Sequence, residues 1–547
     1  MQYVDSRQTR KGRGAFFTPE PIAAFIARWA LRHATDTVLE PSCGEAVFLQ
    51  AAARRLEALG GAAAPGQLRG VDLHEQSVAR ARDALSASGV EATLTASDFF
   101  DVTAHAPVDA VIGNPPYIRY QDFHGTARSK ARAAALAQGV HLSALASSWA
   151  AFTVHAASFL TPGGRLGLVL PAELLSVNYA AAVREHLLRR FASVRLVLFV
   201  ERVFPDVQEE VVLLLADGYD AEGRGTDHFE VLQLHNLDEL DGDTPSRRWT
   251  PAAPGEKWTT ALASSPAYTR LTTQAPTLFT SLDQWGRLTL GTVSGANTFF
   301  ALTSARVSEL GLSPRDLVRV SPPGSTHLRR LTLREEDLAH LDAAGRPTFL
   351  FFPENEPSTA GRALIAAGEA AGVAEAYKCR GRSPWWRVPL AARADLFITY
   401  MNDDSVSVCA NEAGVYHLNS VHGLVLDEGL RDLPRELLAL ASHSSVTALG
   451  AELVGRAYGG GLLKLEPTEA RRLPVPAPDL LRARREELET LRPRARQVLE
   501  EGGAPALRYA VDDALGLAAV IGAPALKEIR EARDALARRR RSRRRTV

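Results

Sequence analysis

The sequence predicts an α/β protein: a doubly wound, mostly parallel sheet of seven strands, then a mixed α+β region and a helical tail. Three observations carry this reading. Short apolar runs alternate with helix-period segments through residues 1–220. Acids and stiff or glycine-bearing loops stand at the carboxyl ends of several runs, where open α/β sheets bind ligands. Beyond residue 275 the texture changes to short strands and turns, and beyond 478 to helix.

The first strand, Thr37-Val38-Leu39-Glu40, runs through Pro41-Ser42-Cys43-Gly44 into a helix opened by Ala46-Val47-Phe48-Leu49. Gly44 lets backbone approach a ligand closely, and the helix start offers unpaired N–H groups. The chain has no GxGxxG and no GxxxxGK[ST] here, which excludes the standard dinucleotide and phosphate loops. The second strand, Leu68-Arg69-Gly70-Val71-Asp72-Leu73, ends in an acid suited to two ribose hydroxyls. The third, Ala92–Ala96, puts Asp98 and Phe99 at its end. Each acid alone is more often a helix cap or a solvated turn; three at successive strand ends point to a site.

The fourth strand, Val108-Asp109-Ala110-Val111-Ile112-Gly113, delivers Asn114-Pro115-Pro116-Tyr117. Proline fixes φ and donates no backbone hydrogen bond, so two in a row give a stiff loop with acceptor carbonyls. The Asn114 side-chain oxygen and the Pro115 carbonyl can hold a planar amino group, with Tyr117 stacked on the attached ring. That is a site for chemistry on an exocyclic amine. A helix over Ser143–Leu160 stops at Thr161-Pro162-Gly163-Gly164. Strands at Arg165–Leu170, Val194–Val200 and Glu210–Ala216, with a helix at Ala180–Phe191, complete the seven.

Residues 221–275 read as a linker, interrupted by Asp241-Gly242-Asp243-Thr244-Pro245 and Pro251-Ala252-Ala253-Pro254-Gly255, with Phe229–Leu234 a candidate extra strand. Residues 276–478 form the mixed region. Within it Tyr377-Lys378-Cys379-Arg380-Gly381-Arg382-Ser383-Pro384-Trp385-Trp386-Arg387 interleaves basic and aromatic residues. Lys378, Arg380, Arg382, Trp385, Trp386 and Arg387 are candidates for contact with DNA phosphates or guanine edges; a Trp-anchored surface loop is the alternative. Residues 479–547 form the tail, helical at Leu480–Glu500 and Ala506–Ala537 and ending in Arg538-Arg539-Arg540-Arg541-Ser542-Arg543-Arg544-Arg545. Such a run is expected to be solvated, with DNA phosphate as a second reading.

With 46% hydrophobic and 23% charged residues in 547, the chain has an ordinary globular composition. No run approaches membrane-span length. The basic start, Arg7, Arg10, Lys11 and Arg13, has no apolar core behind it and is not a signal peptide. Cys43, Cys379 and Cys409 show no CxxC spacing, so neither a metal site nor a disulfide framework is expected, and a reducing cytoplasm fits. The balance of 63 basic and 63 acidic residues leaves any nucleic-acid surface local rather than global.

The set Glu40-Pro41-Ser42-Cys43-Gly44, Asp72, Asp98-Phe99 and Asn114-Pro115-Pro116-Tyr117 resembles the class I S-adenosylmethionine-dependent methyltransferases. More narrowly it resembles the gamma-class adenine-N6 DNA methyltransferases of restriction–modification systems. Phe16-Phe17-Thr18-Pro19-Glu20 is similar to that family's methionine-binding segment. Val203-Phe204-Pro205, before Glu210–Leu215, is similar to its late loop, which carries an aromatic facing the target base. The resemblance implies S-adenosyl-L-methionine as cofactor. It assigns Thr18, Glu40, Pro41, Ser42, Cys43 and Gly44 to the methionine end, Asp72 to the ribose, and Asp98 with Phe99 to the adenine. Cys43 and Gly44 depart from the commonest spellings of that loop.

The same resemblance makes Asn114, Pro115, Pro116, Tyr117 and Phe204 catalytic. A target amine inside duplex DNA must be flipped out, and Tyr117 and Phe204 would clamp it. Residues 276–478 become the target-recognition domain, and any endonuclease lies on another chain. Alternatives are another acceptor amine (cytosine N4, an rRNA base, a protein glutamine) and a non-catalytic DNA-specificity protein. No Pro-Cys arrangement suits attack on cytosine C6.

Overall fold

The computed structural model describes residues 18–541 other than 105, 202, 205–209, 243 and 264, without the side chains of 260, 263 and 459. Phe16, Phe17, Pro205, the amino-terminal basic residues and arginines 543–545 lie outside the described residues. The chain divides into two units, Met1–Leu262 and Ala263–Val547.

In the first unit the apolar runs form strands β1 Val38–Glu40, β2 Leu68–Asp72, β3 Thr93–Ala96, β4 Val108–Gly113, β5 Leu160–Pro171, β6 Phe191–Phe199, β7 Val211–Tyr219, β8 Phe229–Leu234 and β9 Arg247–Trp249. They make one sheet in the order β3-β2-β1-β4-β5-β7-β6-β8-β9. Strands β3, β2, β1, β4 and β5 are parallel, while β7 runs antiparallel to both β5 and β6. Parallel pairing puts the carboxyl ends of β1 to β4 on one edge, and Glu40, Asp72, Asp98 and Asn114 with them. Helices α1 Glu20–Ala30, α2 Val47–Ala58, α3 Glu75–Ala87, α4 Gly125–Ala137, α5 Ser148–Ala157 and α6 Ala181–Arg190 supply the rest of its core. The turn Thr161-Pro162-Gly163-Gly164, expected to end a helix, is looped out within β5: Val108 pairs with Leu160 and Ala110 with Arg165.

The sheet therefore has nine strands, not seven, and the stretch read as a linker belongs to it. The reason is apolar burial. Phe229, Val231 and Leu234 face inward, and the buried Trp258 stacks on Phe229 with ring centroids 4.4 Å apart. Arg184, itself buried, donates to the Gly255 carbonyl at 2.9 Å. The prolines and glycines that suggested a linker mark turns between these anchors.

In the second unit, a five-stranded sheet is built on Leu396–Thr399, Val408–Asn411, Val421–Leu426, Gly286–Leu290 and Thr332–Leu333. A four-stranded sheet includes Leu317–Ser321 and Phe349–Phe351. The tail is not a separate element. Helices Arg485–Glu500, Ala504–Ala514 and Ala523–Arg541 put Leu488, Leu499, Leu507, Val511, Leu526 and Ile529 into one core with Phe279, Trp285 and Leu437.

The expectation of a solvated arginine run is corrected for Arg539 and Arg540, which are buried. Arg540 forms a two-pronged pair with the buried Glu452, Nε to Oε2 at 3.0 Å and the second nitrogen to Oε1 at 2.6 Å. Arg508 and Arg533 meet Asp404 at 3.1 and 2.8 Å, and Arg541 joins them. A guanidinium fork fits carboxylates in this way. Among the described residues no single helix is long and apolar enough to cross a membrane; the bent pair Arg435–Ala441 and Ser445–Val454 is apolar because it is core.

Candidate active site

The parallel edge concentrates acceptors. Glu40, at the end of β1, is buried, and its Oε2 accepts from the Leu49 N–H at 3.1 Å. It thus caps the first turn of α2. Burial drives its carboxyl well above the usual range, against the lowering effect of the Leu49 and Phe48 amides. The loop behind it is held by Cys43 N–H donating to the Val71 carbonyl at 2.9 Å. Gly44 N–H donates to Asp72 Oδ2 at 3.0 Å. Gly44 has φ of +49°, and a Cβ placed there would meet nothing within 4 Å among the described residues. Burial, then Glu40 and Asp72, push the Cys43 thiol upward, which makes it a packing residue and not a nucleophile.

Asp72, at the end of β2, also accepts from His74 N–H through Oδ1 at 2.9 Å. Each carboxylate oxygen keeps capacity for another donor. Leu73 beside it is 62% exposed, a large apolar surface at a strand end. Asp98 Oδ1 accepts from Phe100 N–H at 3.1 Å, and Oδ2 faces Lys130 Nζ at 3.5 Å. The Phe99 ring turns inward. It is buried against Phe152 and Phe159, at 4.8 and 5.0 Å between centroids. Only its backbone remains for the pocket.

The Asn114-Pro115-Pro116-Tyr117 loop follows β4. Asn114 Nδ2 donates to Thr18 Oγ1 at 3.1 Å, joining the segment before α1 to this loop. Ser148 Oγ accepts from Ile118 N–H at 2.9 Å and donates to the Pro116 carbonyl at 2.5 Å. Tyr117 is buried, and its hydroxyl donates to the Val169 carbonyl of β5 at 2.9 Å. Among the described residues no donor reaches the Pro115 carbonyl. The structure thus brings Thr18, Glu40, Gly44, Asp72, Asp98 and Asn114 to one edge. Phe204 is only 3% exposed and belongs to the core, so it offers no open face.

In the second unit the six basic-aromatic candidates divide. Arg382 donates to the Val293 and Ser294 carbonyls at 2.6 and 2.8 Å and holds a loop. Trp385 packs on Phe299 and donates to Glu369 at 3.0 Å. Trp386 is half-buried, with the Arg387 guanidinium 5.6 Å over its ring. These contacts tie the three side chains into their own unit. Lys378, Arg380 and Arg387 are exposed, as is Tyr377 at 75%, and the three cations have no carboxylate partner among the described residues. No cluster of His, Cys, Asp and Glu among the described residues has metal-holding geometry.

Sequence reading missed Leu73, Ser148 and His155. Leu73 had a signal, an apolar residue directly after a strand-ending acid. Ser148 and His155 sit seven apart on a mostly apolar helix, a spacing that marks one face.

The family model for N-6 DNA Methylase matches residues 3–226. The model for the Type II methyltransferase M.Eco57I C-terminal domain matches residues 255–507. Over residues 3–226 the chain thus matches the N-6 DNA methylase family. It is an adenine-specific DNA methyltransferase of the restriction–modification kind, with a class I methyltransferase-like α/β fold carrying a large mixed sheet. The Type II methyltransferase M.XamI of Xanthomonas campestris pv. amaranthicola is 27% identical over 495 residues, with 86% of each chain covered. The Type II methyltransferase M.AccI of Acinetobacter calcoaceticus is 21% identical over 477 residues, with 85% of each covered. Among solved structures, a DrdV–DNA complex is 12% identical with a TM-score of 0.49, covering 95% of this chain and 70% of that one. The N-6 DNA methylase match and the strand-edge acids concern the same first unit.

Proposed function

We propose that this N-6 DNA methylase binds S-adenosyl-L-methionine along the β1–β3 edge and transfers its methyl group to the N6 of an adenine flipped out of duplex DNA. The observation that carries the reading is the Asn114 loop, rigid and anchored, on the same edge as Asp72 and Asp98. The residues fit the cofactor. Among the described residues the space beside Gly44 is open, Asp72 keeps acceptor capacity for ribose hydroxyls, and the exposed Leu73 suits a purine face. The cofactor supplies an electrophilic methyl group already activated at sulfur.

The chain's own residues prepare the nucleophile. Adenine N6 is weak because its lone pair is delocalised into the ring. The Asn114 carboxamide oxygen and the Pro115 carbonyl accept the two amino protons and favour a tetrahedral nitrogen, so positive charge developing there is stabilised. Anchoring by Thr18 and Ser148 orients both acceptors beforehand. Thr18 and the Glu40–Gly44 loop hold the methionine end. Tyr117 supplies one aromatic wall. Phe204, being buried, is reached by a base only if its surroundings rearrange.

Lys378, Arg380 and Arg387 of the second unit are proposed as DNA phosphate contacts. The similarity to the Type II methyltransferases M.XamI and M.AccI supports a restriction–modification role; a cognate endonuclease on a separate chain is part of the same proposal. The test is nucleoside analysis of unmodified genomic DNA treated with the protein and S-adenosyl-L-methionine, with Asn114→Ala as control. N6-methyladenine formed by the wild type alone supports the reading; methylcytosine, or no product, overturns it.

A further inference from the structure

Helix α5 touches both halves of the site through one face. Its first residue, the buried Ser148, makes three hydrogen bonds to the catalytic loop. Oγ donates to the Pro116 carbonyl and accepts from Ile118 N–H, and the Ser148 N–H donates to the Ile118 carbonyl at 3.0 Å. Seven residues on, His155 Nε2 lies 3.1 Å from the Phe99 carbonyl and 3.2 Å from the Val102 carbonyl. Both partners are acceptors, so this nitrogen carries the proton. Burial lowers the imidazole pKa. Between them Phe152 packs on both Phe99 and Phe100. Positions 148, 152 and 155 share a helix face, two turns long or about 10 Å.

A helix is stiff over that length, so the turn carrying Asp98 and the loop carrying Asn114 are referenced to one rigid body. In-line transfer demands such a fixed relation, since reacting atoms must meet within a narrow range of distance and angle. A second layer holds the helix start. Trp149 Nε1 donates to Tyr179 at 3.1 Å and to Glu173 at 3.3 Å, and Tyr179 donates to Ser147 at 3.1 Å.

We infer that Ser148 and His155 are positioning residues at the two ends of one strut, Ser148 setting the amine-binding loop and His155 setting the turn beneath the cofactor's adenine. This rests on the assignment of Asn114 and Asp98 proposed above. Helix α5 therefore fixes the spacing between donor and acceptor, and its two ends answer to different measurements.

The test compares Ser148→Ala with Ser148→Thr, and His155→Ala with His155→Gln, whose amide nitrogen can replace Nε2. Turnover is measured on unmodified genomic DNA, cofactor affinity by calorimetry with S-adenosyl-L-methionine alone, and folding by thermal melting. A lost neutral hydrogen bond is worth up to about tenfold. Ser148→Ala should lower kcat about tenfold while cofactor Kd stays within twofold, and Ser148→Thr should recover most of kcat. His155→Ala should weaken Kd about tenfold with kcat at saturating cofactor little changed, and His155→Gln should recover Kd. Wild-type kcat in Ser148→Ala, or no split between the two variants, overturns the strut. So does failure of both conservative variants to rescue while the wild type is active. If wild-type protein forms no N6-methyladenine, the proposed function fails and the strut with it; an active wild type without the split between variants is failure of the strut alone.

Discussion

Asn114 donates through Nδ2 to Thr18 Oγ1 at 3.1 Å, across 96 residues of chain. The bond fixes which end of the carboxamide is the donor. Its oxygen is therefore directed by a residue outside the loop, one that the sequence assigned only to the cofactor's methionine end.

Thr18→Val keeps the shape and removes the hydroxyl. A hydrogen bond of this kind contributes about 0.5–1.5 kcal/mol, so kcat should fall up to about tenfold, with Thr18→Ser near wild type. Unchanged kcat in Thr18→Val, measured at saturating cofactor and DNA, would detach Thr18 from the chemistry.

Asn114→Ala should cost about 10²–10³ in rate, the usual loss for one preorganised polar group, with cofactor affinity nearly intact. Asp72→Ala should show the reverse order, affinity first, because Asp72 also holds the Gly44 amide. Single-turnover rates beside calorimetry separate the two; equal losses in both variants would contradict the assignments.

Phe204→Ala should act through stability. A ring this buried leaves a cavity worth about 3–5 kcal/mol when truncated. Tyr117→Phe removes the bond to the Val169 carbonyl and should cost about 1 kcal/mol. Denaturant melts measure both. A fully stable Phe204→Ala with lost activity would return that ring to the clamp role.

Glu452→Ala strands the buried Arg540, and breaking one side of such a pair costs about 3–5 kcal/mol. Arg538→Ala, exposed on the same helix, should be neutral. Equal melting midpoints for the two variants would show that the pair does not hold the second unit together.

Acid should loosen the second unit in two stages. Burial lowers His327, His417 and His443 to about 4 each. Their unfolded value is about 6.5, so the unfolded chain binds more protons between these values. Stability then falls as pH drops through that window, by about 1.4 kcal/mol per pKa unit for each ring. Asp404 is held at about 2 despite burial, by the Arg533, Arg541 and Arg508 guanidinium groups. Its contribution is present above about pH 4 and is lost toward pH 2. Urea melts at pH 7.5, 6 and 5 read the first stage. His417→Gln should flatten the slope, since neither His417 ring nitrogen has a partner among the described residues; an unchanged slope would refute the histidine account.

The strand-end residues were legible because each follows a short apolar run: Glu40, Asp72, Asp98 and Asn114 all lie on the expected edge. Side-chain direction was less legible. Phe99 and Phe204 sit in the right segments, but period and spacing do not say which way a loop ring turns, and both turn inward. Glycine and proline misled at 221–275, where two short strands and Trp258 outweigh the turns between them. Composition also misled at the arginine run. Its partners, Asp404 and Glu452, are distant in sequence, and no local window shows them.

The arginines on Asp404 lie 104, 129 and 137 positions downstream of it. During synthesis the first unit has its whole sheet before those residues exist, while the Met401–Asn402 strand and its neighbours await closure. Long-range pairing of this kind slows folding and leaves apolar surface open meanwhile. Translation speed and chaperone supply should therefore govern the yield of the second unit more than that of the first. A tag placed directly after residue 541 would burden the step that completes it.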